Sequence, residues 1–184
     1  MVKHYFRKVV MWVRFPPSAP SWSEDRRFVH SRMTMLCEAK SRPRLISCMD
    51  ANQFITEFTK WVREQKEIWA VLLVGSYARD SAKPDSDIDL VVITDEPEIY
   101  LDNDLWIKGF GEVKEIIKED YKAVQVRRVF YGNGLEVEYG ITTPDWAKVD
   151  PVDPGTERVI KDGAKILLDK NGILELLIKN LNKL

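Results

Sequence analysis

The stretch "VGSYARDSAKPDSDIDLVVIT", Val74 to Thr94, holds the residues most able to do chemistry. Asp87 and Asp89 stand two positions apart at the start of an apolar run. Side chains alternate along a strand, so both carboxylates point to one face. Ile88, Leu90 and Val92 take the opposite face, towards a core. Neighbouring carboxylates repel, and partial burial makes both costly to keep charged. A divalent cation removes that conflict. Hard oxygen donors without His or Cys suit Mg²⁺, which binds one or two carboxylates together with substrate phosphates.

Gly75 and Ser76 close the preceding apolar run, "IWAVLLVG". Glycine permits close backbone approach, and free N–H groups at a helix start favour phosphate. Ser76 adds a hydroxyl, and Arg79 a rigid cationic fork. Alone, Gly-Ser is an ordinary turn and Asp-x-Asp an ordinary solvated edge. Both together, between two apolar strands, point to phosphate on one side and metal on the other.

The segment "GSYARDSAKPDSDIDL" resembles the signature of the polymerase-β-type nucleotidyltransferases, in particular the minimal and the aminoglycoside nucleotidyltransferases. The likeness is strongest over residues 71–94 and more diffuse over 50–184. Asp80 departs from it, since many relatives have glycine after the arginine. The resemblance implies a third acidic residue on a later strand. "GLEVEYGI" offers Glu136 and Glu138 on one face, and "VEYGI" is similar to the third-carboxylate segment of aminoglycoside nucleotidyltransferases, which favours Glu138 with Glu136 as runner-up.

The implied activity is transfer of a nucleoside monophosphate, AMP first, from an NTP to an acceptor hydroxyl, with pyrophosphate released. Asp87, Asp89 and Glu138 would be catalytic and would hold two Mg²⁺ ions. Glu138 could also take the acceptor's proton. Gly75, Ser76 and Arg79 would steady the phosphates of the NTP, expected to be ATP. The alternative is a minimal nucleotidyltransferase-type antitoxin, a binding module that neutralises a partner protein. The acceptor, a small molecule or a protein, is not named by the residues. A homodimer or a toxin partner could complete its pocket.

These residues need a sheet to hold them. "DANQFITEFTKWVREQK" carries Asp50 and Gln53 as a capping box, then Phe54, Ile55, Phe58, Trp61 and Val62 at helical spacing. The run from Ile68 to Gly75 suits a strand buried on both faces, and Asp87 to Thr94 a second strand. "DNDLWIKGFG" reads as a short helix, and "EVKEIIKED" as a helical turn or loop. "AVQVRRVFY" and "LEVEYGIT" flank Gly-Asn-Gly and make a hairpin. "KILLD" is a strand or part of a helix, and "GILELLIKNLNKL" a final amphipathic helix. The expected fold class is α/β (α+β), a mixed sheet flanked by helices, of the polymerase-β-like type. Trp61 and Trp69 are read as packing residues, and so are Trp106 and Trp146, with stacking on a base or sugar as their alternative. Arg127 and Arg128 lie on opposite faces of their strand; one of them could face substrate, and neither is assigned a role.

Charge divides the chain. Residues 1–48 hold ten Lys and Arg against three Asp and Glu, whereas residues 49–184 hold 18 against 26. Both Cys, both His and four of the five Met also lie in residues 1–48. "VRFPP" can be encoded by a sequence like that of a transfer-RNA T-arm. The expectation is therefore a disordered or mis-annotated extension over 1–48 and a nucleotidyltransferase domain over 49–184. The alternative is a genuine basic arm. The acidic domain argues against nonspecific nucleic-acid binding. Two Cys give no disulfide framework, and no run reaches the roughly 18 apolar residues of a membrane span, so a cytoplasmic protein is expected.

Overall fold

The computed structural model describes residues 49–182. The expected division at residue 48 concerns a segment outside the described residues. Helix α1, Ala51–Glu64, begins at Asp50, whose side chain accepts from the Gln53 N–H while the Gln53 side chain accepts from the Asp50 N–H. Two otherwise orphaned backbone donors are thus satisfied, as the capping box requires. Strand β1, Ile68–Val74, leads into a single helical turn, α2, Gly75–Ala78. Strand β2 is Ile88–Thr94, followed by the short helix α3, Pro97–Leu101, and a 3-10 turn at Ile107–Phe110.

The segment read as a helical turn or loop is instead strand β3, Val113–Asp120. It lies at one edge of the sheet and is largely exposed on both faces, so it has no need of apolar alternation. Strands β4, Gln125–Tyr131, and β5, Glu136–Thr142, form the expected hairpin. After a 3-10 turn at Pro144–Ala147 comes helix α4, Pro154–Asp162, capped by Asp153, which accepts from the Thr156 N–H. "KILLD" resolves as part of strand β6, Ala164–Asp169. Helix α5, Ile173–Leu181, ends the described chain.

The six strands form one mixed sheet in the order β3-β4-β5-β2-β1-β6. Among the described residues, β2 and β5 pair in parallel and the other four pairs are antiparallel. Each face carries its own core. On one, Phe54, Phe58 and Val62 of α1 pack on Val71, Leu73, Leu90, Val92 and Tyr139. On the other, Leu174, Leu177 and Leu181 of α5 pack with Trp146 on Ala70, Leu72, Val91 and Ile93. This explains why β1 and β2 are apolar at almost every position. Trp106 stacks on Trp61 with centroids 5.4 Å apart, and Trp146 is buried, so these rings serve packing. No helix among the described residues is long and apolar enough to cross a membrane.

Candidate active site

Asp89 alternates with Val91 and Ile93, which places it on the α5 face of the sheet, at the beginning of β2. Strand register decides its neighbours. Asp89 is paired with Val74 on β1 and with Glu138 on β5, and Glu138 is paired with Arg128 on β4. Paired strands lie about 4.8 Å apart, so side chains at matched positions on one face meet. Asp87, just before β2, joins the row: carboxylate oxygens of Asp87, Asp89 and Glu138 all lie within 4.8 Å of one another. Glu136 is one strand repeat further along β5 and stands outside this cluster, bonded to Arg128.

The cluster is electrostatically strained. Burial, then the charges of Asp87 and Glu138, push Asp89 up to about 7, against the pull of Arg128 and Arg79. Burial raises Glu138 as well; Arg128 opposes this, while Asp87, Glu119 and Glu136 add to it. Three half-buried carboxylates thus face one another with too little positive charge among them.

The turn from β1 into α2 closes the other side. Gly75 has φ of +68°, and a Cβ there would lie 2.1 Å from Asp89 Oδ2. Only glycine satisfies both the left-handed backbone and the close approach. The Ser76 hydroxyl oxygen is buried and has no hydrogen-bond partner among the described residues. Such an orphan calls for a ligand. A groove of about 510 Å³, lined by Tyr77, Pro84, Asn52, Asn133 and Leu135 among others, includes none of the triad in its walls.

Arg79, expected to steady phosphate, is also engaged within the protein. Its Nη1 donates to Asp162 Oδ2 at 2.5 Å and to the Asp162 backbone oxygen at 3.1 Å, tying the turn to the end of α4. Asp80, where the resemblance leads one to expect glycine, has φ of +55°. The backbone there is left-handed, which glycine adopts freely and Asp tolerates. Its carboxylate pairs with Lys165 at 2.5 Å.

Of the two adjacent arginines, Arg128 is the one that meets the site. Its side chain faces the cluster, with Nη2 on Glu138 Oε1, Nη1 on Glu136 Oε1 at 3.0 Å and Nε 3.5 Å from Glu119 Oε1. Arg127, on the opposite face, is buried and donates to the Leu101 carbonyl. Alternation separates the two arginines, but only the β4–β5 register puts Arg128 beside Glu138.

The donor set fits a divalent cation. All the converging atoms are hard oxygens, residues 50–184 contain no His or Cys, and the mutual repulsion has no other full remedy within the cluster.

A family model described as streptomycin adenylyltransferase matches residues 49–183. No curated protein matches the sequence. Among solved structures, an aminoglycoside 6-adenyltransferase from Bacillus subtilis is 14% identical, with a TM-score of 0.45. The match covers 54% of this chain and 37% of that one, so this chain spans little more than a third of that protein's length. A toxin–antitoxin structure with AMP-PNP is 12% identical, covering 70% of this chain and 84% of the other, with a TM-score of 0.37. A CCA-adding enzyme with CTP is 21% identical, covering 71% and 35%, with a TM-score of 0.35.

Proposed function

The chain belongs to the streptomycin adenylyltransferase family, and on that premise we propose that it transfers a nucleoside monophosphate from an NTP to an acceptor hydroxyl, with release of pyrophosphate. ATP is the proposed donor and AMP the group moved. The observation that carries this reading is the convergence of Asp87, Asp89 and Glu138 beside the Gly75–Ser76 turn.

Asp87, Asp89 and Glu138 would hold Mg²⁺, two ions in the full complex. When bound, the metal supplies charge neutralisation on the triphosphate and a lowered acceptor pKa. The chain's own residues do the rest. Gly75 presents backbone without a side chain, so phosphate oxygens can approach it. The unpartnered Ser76 hydroxyl is free to donate to one of them. Arg79, whose Nη1 is paired with Asp162, would present the rest of its guanidinium to the phosphates. Glu138, raised by burial from its usual value, would take the proton of the attacking hydroxyl. The groove beside Tyr77 has the volume of a small-molecule pocket and is the proposed room for base or acceptor.

The test is pyrophosphate release from each NTP with Mg²⁺ and a panel of hydroxyl acceptors, with Asp87→Asn as control. ATP-dependent release that disappears in the control supports the reading. Release that survives Asp87→Asn refutes the carboxylate role. A chain that binds nucleotide and a partner protein, but turns over no NTP, would be the interaction module instead.

A further inference from the structure

We propose that Arg128 is a positioning residue that fixes the Glu138 carboxylate for cation binding; this rests on the metal-dependent reading above. Asp89, Glu138 and Arg128 occupy matched positions on three neighbouring strands, with Glu138 in the middle. Glu138 therefore has two repelling carboxylates on one side and a guanidinium on the other. Without Arg128, repulsion favours a rotamer of Glu138 that swings away from Asp87 and Asp89. With it, Oε1 is held by Nη2 and Oε2 remains for a cation.

The charge of Arg128 looks like a handicap at a cation site. Glu136 and Glu119 answer this. Glu136 accepts from Nη1 and Glu119 lies 3.5 Å from Nε without a hydrogen bond, so two carboxylates outside the triad offset its charge. The triad keeps its negative charge, and Arg128 contributes direction. The planar fork is what allows one side chain to engage carboxylates from two different strands; a lysine offers one point charge in its place. Glu136, the sequence runner-up for third carboxylate, thereby gains a different part: it holds the residue that holds Glu138.

Electrostatics and positioning predict opposite signs, which makes the experiment decisive. Mn²⁺ is titrated into the metal-free full-length protein, and the free ion is followed by electron paramagnetic resonance. Removing a positive charge alone would tighten cation binding. Loss of positioning weakens it, by about 10–100-fold as for other residues that orient metal ligands. Arg128→Met is expected to weaken Mn²⁺ binding by that amount and to lower kcat, with KM for ATP little changed and activity partly restored by raised Mg²⁺. Arg128→Lys keeps the charge and spares the fold; it too should weaken Mn²⁺ binding. Mn²⁺ binding unchanged or tighter in Arg128→Lys or in folded Arg128→Met overturns the inference while leaving the nucleotidyl-transfer reading intact. A wild-type protein that neither binds Mn²⁺ nor releases pyrophosphate overturns both.

Discussion

The Asp89 carboxylate lies against the backbone of Gly75, where a single added carbon would sit 2.1 Å from Oδ2. The turn and the carboxylate therefore occupy one another's space. Gly75→Ala should displace Asp89 and strain a left-handed backbone. The expected result is at least a hundredfold loss of pyrophosphate release and a stability loss of about 1–3 kcal/mol, read by thermal melting. Full activity in Gly75→Ala would show that this contact does not matter.

Neutralising the triad should separate activity from stability. Asp89→Asn and Glu138→Gln are each expected to reduce turnover by roughly a thousandfold or more, the loss of a transition-state charge partner and metal ligand. The same Asp89→Asn should raise the melting temperature of the metal-free protein at pH 8, because it relieves like-charge repulsion and the burial of charge. A variant less stable than the wild type under those conditions would contradict the electrostatic account.

Asp89 also sets a pH dependence. Its folded value is about 7, against about 3.9 in an unfolded chain. Between these values the folded state binds more protons, so the stabilising contribution is complete below about pH 4 and is lost as pH rises to about 7. Chemical denaturation of metal-free protein across this range should show stability falling with pH. Asp89→Asn should flatten that part of the profile, and excess Mg²⁺ should recover stability at pH 8. An identical slope in the variant would assign the titration elsewhere.

At Asp80, φ of +55° makes glycine the less strained residue. Asp80→Gly removes the exposed pair with Lys165 but relaxes the backbone. The expected outcome is unchanged or up to about 1 kcal/mol greater stability. Asp80→Val should instead cost more than about 1 kcal/mol. Paired denaturant titrations of the two variants check the order.

Much of the scaffold was legible because its signals are local. The Asp50–Gln53 capping box, the helical spacing of Phe54 and Phe58, and the Gly-Asn-Gly turn each report on a few adjacent residues. The Asp87–Asp89 pair was legible because Asp-x-Asp follows a Gly-Ser turn between two apolar runs, in a segment that resembles a family signature. Strand β3 was not, because an exposed edge strand has no buried face to write a pattern into its sequence. The role of Arg128 was hidden for another reason. Its meeting with Glu138 depends on hairpin register, and nothing in "VRRVF" states which glutamate it will face. The tie between Arg79 and Asp162 spans 83 residues and lay equally out of reach.

The parallel pairing of β2 with β5 has a kinetic consequence. Asp89 and Glu138 are separated by roughly fifty residues of chain, which fold into an edge hairpin before returning alongside β2. Such long-range closure pays its entropy before contacts reward it. The acidic pocket therefore cannot exist in a nascent chain whose hairpin has yet to dock.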